Sequence, residues 1–247
     1  MEVSGSLEMY KDLDYKQLSD LSRQYGITLW SLHLPFSPFE QIDISRPELS
    51  GQTVAYYEAL IQKASAIGIR HFIVHPSGEP IQEADRPARL ACAKESLRRL
   101  GDIATQYGAV IAVENLPRTC LGNRAEELKR IISVNDKLRV CFDFNHSLGE
   151  DNSAYIKLLG DKIITTHVSD YDLIDERHWL PGEGKVDWVE MITLMEQADY
   201  QGVWMYELGF KAPASIDRRE LTWQDFGDNA RTIFAKKQPE AIGTSLL

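Results

Sequence analysis

Helix-forming and strand-forming segments alternate along the chain, and at five junctions a glycine separates a helix from the strand that follows it. This order occurs in QYG-ITLWSLHLP, AIG-IRHFIVHP, QYG-AVIAVENLP, LLG-DKIITTHVSD and YQG-VWMYEL. Glycine is favoured directly after a helix because it adopts the left-handed conformation without a Cβ penalty. These junctions predict a chain built from repeated helix and strand units, with each helix ended by its glycine.

Two of the predicted helices show a clear helical period. A helix over TVAYYEALIQKASAIG places apolar residues three or four positions apart on one face, at Val54, Tyr57, Leu60, Ile61, Ala64 and Ile67. A second helix is predicted to open at Asp85, as an N-cap residue followed by a proline, and to run to Tyr107. The apolar side of this second helix carries Leu90, Leu97, Leu100 and Ile103.

The predicted strands are apolar along their length and polar at their C-terminal ends. Runs such as FIVH, VIAVE and IITTHV lack alternation, as expected of parallel strands covered on both faces, and their alternation with helices indicates an α/β fold. In a doubly wound sheet the ligand crevice draws mainly on strands that flank a switch point. Polar ends on successive strands favour instead a (β/α)8 barrel of TIM type, with its site at the C-terminal face. The residues at these ends are His33, His75, Glu114, Asp143, His167 and Glu207.

The number of strands falls one short of a closed barrel. Candidates are recognisable at MEVS, LWSLH, FIVH, IAVE, VCFD, ITTHV and WMYE, whereas the barrel needs eight. Because no helix precedes MEVS, the chain is predicted to lack its first βα unit; the alternative places a strand in the loop over 169–187. We expect residues 1–247 to form a single domain, with 237–247 as a frayed tail. The two open strand edges are expected to be covered by the segment after Gly209 or by another chain, which makes a homo-oligomer one of the arrangements considered.

Composition and charge restrict the classes of function. The 247 residues are 43% hydrophobic and 26% charged, which suits one globular core. A formal net charge of −10, from 37 acidic and 27 basic residues, disfavours binding to nucleic acid or to an anionic membrane. Three cysteines without CxxC spacing indicate a reducing compartment, not a disulfide framework. Without an apolar leader or a spanning run, the protein is expected to be soluble and cytoplasmic.

Histidines and carboxylates concentrate on the presumed active face. Five of the six histidines lie at strand ends or just beyond them. The sixth, His71, opens its strand about 13 Å from His75 and is expected to be structural. At one barrel mouth Glu114, Asp143 and Glu207 would repel one another unless a cation lay between them. A divalent metal is therefore predicted.

Two ligand sets are available to metal. Glu114, Asp143, His167 and Glu207 form an oxygen-rich set that would hold one ion and suits Mn²⁺, Mg²⁺ or Co²⁺. A histidine-rich set suits zinc. The remaining candidates either bind substrate hydroxyls or complete a multinuclear zinc cluster, and they are His33, His75, His146, Glu176 and His178.

The motifs resemble those of the xylose isomerase-like barrel superfamily. The resemblance covers residues 1 to 209 and rests on MEVS, the HP after FIV, ENLP, the Asp-x-x-His of DFNH, HVSD, PGEG and the glutamate of WMYE. The chain is similar to sugar phosphate isomerase/epimerase proteins of the tagatose 3-epimerase type, and also to apurinic endonuclease IV. In these epimerases MEVS corresponds to the second strand, which implies that the first βα unit is absent here.

Resemblance to the epimerases implies a divalent cofactor, Mn²⁺, Co²⁺, Mg²⁺ or Zn²⁺, held by the oxygen-rich set, and a small carbohydrate as substrate. It also implies that Glu114 and Glu207 act as acid and base in a proton transfer through an enediolate. His146 would contact substrate, and His178 would orient substrate oxygens. Arg118, directly after ENLP, would either meet an anionic group of the substrate or be a solvated loop residue.

Several positions depart from the epimerase pattern towards the endonuclease. His178 stands four residues before the glycine of PGxG, where the tagatose epimerases carry an arginine, and Glu176-x-His178 replaces the endonuclease's Asp-x-His pair. His33 and His75 match its first two zinc-binding histidines. The net charge and the lack of basic, aromatic-rich loops stand against a nuclease. Three alternatives remain: a sugar isomerase, epimerase or related lyase; a multinuclear zinc phosphodiesterase; and a binding barrel that has lost activity.

Overall fold

A computed structural model of the chain describes residues 1–36 and 42–247. Within these residues seven strands form one parallel sheet in which each strand pairs with the next in chain order. The sheet curves into a nearly closed barrel, as expected for a TIM barrel that lacks one βα unit. The strands are β1 (Glu2–Val3), β2 (Ser31–His33), β3 (His71–Val74), β4 (Val110–Glu114), β5 (Arg139–Asp143), β6 (Ile163–Val168) and β7 (Val203–Tyr206).

Helices connect the strands on the outside of the barrel. They are α1 (Leu7–Asp12), α2 (Tyr15–Tyr25), α3 (Pro47–Ala66), α4 (Arg86–Gln106), α5 (Ala125–Ile132), α6 (Asn152–Leu159), α7 (Trp188–Gln197) and α8 (Trp223–Phe234). Two short 3₁₀ helices span Phe144–His146 and Gly160–Lys162. No helix of the described residues is long and apolar enough to cross a membrane.

The two helices predicted from their period are present as α3 and α4. Their predicted apolar faces are buried in the layer between barrel and helices, apart from Ile67 and Leu90, which are partly buried. The start of α4 differs in one respect from the prediction. Asp85 occupies the N-cap position, but its side chain makes no capping hydrogen bond. Of the two sequence signals for the start of this helix, only the proline in the first turn has its expected structural role.

The glycine junctions fall into two kinds. Gly26, Gly68 and Gly108 have φ of 65°, 100° and 63°, which confirms the predicted left-handed conformation. The prediction is wrong at Gly160, which has φ −52°, and at Gly202, which is not among the residues with positive φ. Close packing explains these two glycines. A Cβ at Gly160 would lie 2.6 Å from the Cβ of Ala198, and one at Gly202 would overlap the carbonyl oxygen of Ile164.

The alternation of side chains along each strand carries the site residues into the barrel. Ile73, Ala112 and Cys141 form a small apolar cluster that is separate from the main core. Side chains two residues apart on a strand share a face. The residues two positions after this cluster, His75, Glu114 and Asp143, therefore point to the same interior at the C-terminal mouth.

The barrel remains open between β1 and β7, which pair with one neighbour each among the described residues. The segment after Gly209 does not close this opening. It forms α8, which packs Phe226 and Phe234 against β7, and a strand β8 (Ile216–Asp217) that pairs with β9 (Thr244–Ser245). Pairing of the open edges with another chain stays a prediction.

Residues of the C-terminal segment 237–247, which was predicted to be frayed, form hydrogen bonds with the region before and at the start of α7. The side chain of Gln238 donates to the carbonyl of Val186 and accepts from the amide of Trp188, both at 3.0 Å. The amide of Gly243 donates to Glu183, a buried carboxylate paired with Arg218. Backbone groups of Val186 and Trp188 and the side chain of Glu183 thus bind the tail, and sequence composition does not predict such contacts.

Candidate metal centre and active site

Four strand ends bring three carboxylates and one imidazole together. Glu114 ends β4, Asp143 ends β5, His167 lies in β6, and Glu207 directly follows β7. The Nδ1 of His167 lies 3.1 Å from Glu114 Oε1, 3.2 Å from Glu207 Oε2 and 3.8 Å from Asp143 Oδ2. The four donor atoms lie within 4.8 Å of one another. We call this set the four-ligand group.

The four-ligand group suits a divalent cation. Oδ2 of Asp143 and Oε2 of Glu207 are buried and have no hydrogen-bond partner among the described residues. The side chain of Glu207 is 38% exposed as a whole, so only this oxygen is enclosed. Buried carboxylate oxygens without partners are costly, and donors that share one ion with bonds of about 2.1 Å lie about 3.4 Å apart. Three oxygens and one imidazole nitrogen suit Mn²⁺, Mg²⁺ or Co²⁺, and Zn²⁺ also accepts such a set.

Glu114 also joins a second group with two histidines. Its Oε2 lies 3.1 Å from Nε2 of His33 and 3.2 Å from Nε2 of His75. These imidazoles come from the ends of β2 and β3, and their rings contact each other edge to face. One carboxylate therefore spans both groups, with Oε1 in the four-ligand group and Oε2 beside the two histidines.

A third group lies beside the first and comes from loop residues. Nε2 of His146 lies 2.9 Å from Oε1 of Glu176, and His178 completes the set. The backbone of His178 has φ 51°, and its Nδ1 lies 3.1 Å from the carbonyl oxygen of Glu207. Burial would raise the pKa of Glu176, but the hydrogen bond from His146 and the charge of Arg118 lower it to about 2. The structure thus brings together all the sequence-predicted histidines in three adjacent groups.

Burial and neighbouring charges shift the pKa values of the residues in the site. Burial alone would raise the pKa of Glu114, but the imidazoles of His167 and His75 outweigh it and hold that pKa well below its usual range. Burial raises the pKa of Asp143 well above its ordinary value. Burial would lower the pKa of His146, yet the carboxylate of Asp143 and other acids raise it to about 10. Positive charge beside Glu114 thus lowers the pKa of this carboxyl, which is the effect that a bound cation would also have.

These groups face a cavity of about 380 Å³ at the mouth of the barrel. Glu114, Glu207, His75, His146 and His178 line its polar side. Its apolar side is lined by Phe36, Leu116, Pro117 and Cys120. A volume at the low end of the range for small-molecule sites suits a ligand of monosaccharide size, and carboxylates beside apolar surface suit a polyol.

Arg118 lies on the rim of this cavity with its charge already compensated. Its Nε donates to both oxygens of Glu79 at 3.0 and 3.1 Å, and Nη1 donates to Asp175 at 2.9 Å. Nη2 also contacts Glu176. We call this cluster the Arg118 clamp. The sequence did not predict it, because Glu79 and Asp175 are far from Arg118 along the chain.

Two interior residues next to the predicted ligands were also missed. The side-chain amide of Asn115 forms two hydrogen bonds of 2.8 Å with the backbone of Asp143. The backbone carbonyl oxygen of Asn115 lies 2.9 Å from Nδ1 of His146. Glu2, in MEVS, has its Oε1 3.2 Å from Nε2 of His167. Asn115 lies in the ENLP motif and Glu2 in the MEVS motif, and this placement was the signal in the sequence from which both could have been found. His71 stacks on Trp30 and its ring nitrogen lies 3.0 Å from that residue's carbonyl oxygen, the structural role expected of it.

Comparison with known families agrees with the barrel fold. The sequence model of the xylose isomerase-like TIM barrel family matches residues 2–225. The chain belongs to this family. Among solved structures, this family member resembles a D-tagatose 3-epimerase-like protein with a TM-score of 0.80 and 21% identity, over 95% of this chain and 86% of that one. This likeness concerns the fold.

Curated relatives of this xylose isomerase-like barrel differ in their descriptions. An uncharacterised protein of Methanocaldococcus jannaschii is 27% identical over 197 residues, which are 76% of this chain and 67% of the relative. A probable endonuclease 4 of Staphylococcus aureus is 27% identical over 177 residues, which are 65% of this chain and 58% of the relative. The chain therefore spans little more than half of the endonuclease, and family membership alone leaves the reaction open.

Proposed function

We propose that this xylose isomerase-like barrel is a divalent-metal-dependent isomerase or epimerase that moves a proton next to the carbonyl of a sugar. The observation that carries the proposal is the placement of Glu114 and Glu207. Both line the same cavity, and an oxygen of each lies within 3.2 Å of the same imidazole nitrogen of His167. Two carboxyl groups from the ends of different strands that face one ligand-sized cavity suit an acid and base pair.

The chain's own groups can perform both halves of such a transfer. A carboxylate oxygen of one glutamate removes the C–H proton beside the substrate carbonyl, and the other glutamate, which has taken a proton from solvent beforehand, donates that proton to the enediolate; the first glutamate then releases its proton to solvent. The depressed pKa of Glu114 keeps its carboxylate ionised at neutral pH. A divalent metal, when bound to the four-ligand group, would supply electrostatic stabilisation of the negative oxygens. His146 and His178 would orient substrate hydroxyls.

The proposal is tested by loading the purified protein separately with Mn²⁺, Co²⁺ and Zn²⁺ and incubating each form in D₂O with a panel of ketoses. We expect solvent deuterium to appear at the carbon beside the carbonyl in substrate or product, measured by proton NMR and mass spectrometry. Absence of exchange and of turnover across the panel, with metal bound, would favour the binding barrel.

The Arg118 clamp favours the proposal that the substrate is an unphosphorylated sugar. A phosphate on the sugar needs a free cationic side chain, and the guanidinium is surrounded by Glu79, Asp175 and Glu176. Glu114 and Glu207 add further negative charge to the same cavity. In this proposal Arg118 holds acidic side chains at the rim of the cavity and does not bind an anionic group of the substrate.

Phosphorylated sugars are expected to be poorer substrates than the free sugars. We expect kcat/KM for a sugar phosphate to be at least about tenfold below that for the free sugar, since one uncompensated charge at close range is worth about 1.4 kcal/mol or more. Glu79→Gln should narrow this ratio by about threefold, because it releases part of the guanidinium. Glu83→Gln, an exposed residue nearby in the sequence, is the matched control. A wild-type preference for the phosphate would contradict the assignment.

A second candidate function is a multinuclear phosphodiesterase. The observation that favours it is the set of three adjacent groups, which supports the expectation that nearly the whole trinuclear ligand set of endonuclease IV has a counterpart here. Histidine-rich sets suit Zn²⁺. The net charge of −10 acts against capture of a polyanion.

Duplex DNA with an abasic site separates the two functions. We expect no strand cleavage and no binding below micromolar concentration by zinc-loaded protein at 100 mM salt, because the long-range field is repulsive. Binding is measured by fluorescence anisotropy and cleavage by gel electrophoresis, with intact duplex as the control. Metal-dependent incision at the abasic site would establish the phosphodiesterase.

A further inference from the structure

Glu2 is an interior carboxylate that the proposed proton transfer does not use. Its side chain is 9% exposed. The hydroxyl of Ser31, on the neighbouring strand β2, donates a 2.6 Å hydrogen bond to Oε2. Oε1 lies 3.2 Å from Nε2 of His167. Ser31 therefore holds one oxygen of the carboxylate while the other is presented to the imidazole.

The two nitrogens of the His167 ring have different surroundings. Nδ1 lies beside the oxygens of Glu114 and Glu207 in the four-ligand group. Nε2 is buried, makes no aligned hydrogen bond with a described residue, and has Glu2 as the carboxylate beside it. A neutral histidine that ligates through Nδ1 carries its proton on Nε2, and a buried N–H requires an acceptor.

We propose that Glu2 is a positioning residue for the metal centre: it accepts the Nε2 proton of His167 and so holds the tautomer whose Nδ1 can bind a metal. The inference rests on the metal centre of the proposed function. A carboxylate behind a histidine also makes the ring a stronger donor, because its negative charge favours the electron-poor state of a ligated imidazole. This role explains why a carboxylate, that of Glu2, is buried on the first strand of the barrel.

Metal affinity is the first readout. Zn²⁺ affinity is measured by competition with a chromophoric chelator for wild type, Glu2→Met, Glu2→Gln and the exposed control Glu8→Gln. Glu2→Met keeps the volume and removes the acceptor, so we expect affinity to fall about 10-fold to 100-fold. Glu2→Gln keeps an acceptor without the charge and should lose less. Glu8→Gln should bind as wild type does.

The tautomer of His167 is the second readout, and it needs no change at Glu2. In wild-type protein labelled with ¹⁵N-histidine and loaded with Zn²⁺, long-range ¹H–¹⁵N spectra should show protonated Nε2 and unprotonated Nδ1 for this ring. The signals are assigned by their loss in His167→Gln. We expect the Nε2 proton to resonate at low field and to move upfield in Glu2→Met.

The outcomes separate this inference from the proposed function. Wild-type protein that binds no metal refutes both. Wild-type protein that binds Zn²⁺ while Glu2→Met binds equally well refutes only the role of Glu2. A proton on Nδ1 in the zinc-loaded wild type also refutes it, even if the Glu2 variants do not fold.

Discussion

Treatment with a chelator is expected to lower the melting temperature, and Mn²⁺, Co²⁺ or Zn²⁺ is expected to restore it. A ligand that binds only the folded state stabilises it by about 2.7 kcal/mol at 100 times its dissociation constant. For a domain of this size each kcal/mol shifts the melting temperature by roughly 2 to 4 °C, so we expect a change of about 5 to 11 °C. Differential scanning fluorimetry across a metal titration measures the shift.

Matched variants show whether the shift comes from the four-ligand group. Asp143→Asn and His167→Gln should each remove most of the response to metal. Asp170 is an equally buried carboxylate that accepts hydrogen bonds from Trp188 and Gly182 and does not belong to the group. Asp170→Asn should lower the melting temperature but keep the response. A melting temperature that is the same with chelator and with each metal would contradict the metal centre.

Replacement of Glu207 or Glu114 by glutamine is expected to abolish exchange of the substrate's C–H proton with solvent. Loss of a positioned acid or base reduces such rates by about 10² to 10⁴. Exchange is followed by NMR in D₂O with metal-loaded protein, and Glu126→Gln, on the exposed first turn of α5, serves as the control. Because both glutamates also belong to the four-ligand group, metal content is measured in parallel.

The informative variant is the one that retains metal and loses exchange. We expect Glu207→Gln to be that variant, because Glu207 is partly exposed whereas Glu114 is buried and joins two groups. Product that forms without solvent label in the wild type would instead indicate a hydride shift. Exchange at the wild-type rate in both variants would assign the base to another residue.

The sequence predicted the barrel and most of the site because both depend on local patterns. Apolar runs that end in a polar residue define parallel strands and their C-terminal face, and the position of Glu114 or His167 follows from the strand alone. Contacts between distant segments leave no such pattern. The Arg118 clamp, the pair of Glu2 with His167, and the ordered tail around Gln238 depend on how the loops meet, which the sequence pattern does not specify.

Because the carboxylate of Glu114 is shared, the two groups that it joins draw their other ligands from different strands. Ligands of the four-ligand group come from β4 to β7, whereas His33 and His75 come from β2 and β3 and approach only the second oxygen of Glu114. Substitution of those two histidines would remove the second group and leave the ligands of the four-ligand group in place. Changes confined to β2 and β3 therefore alter one group of candidate ligands and leave the carboxylates of the four-ligand group in place.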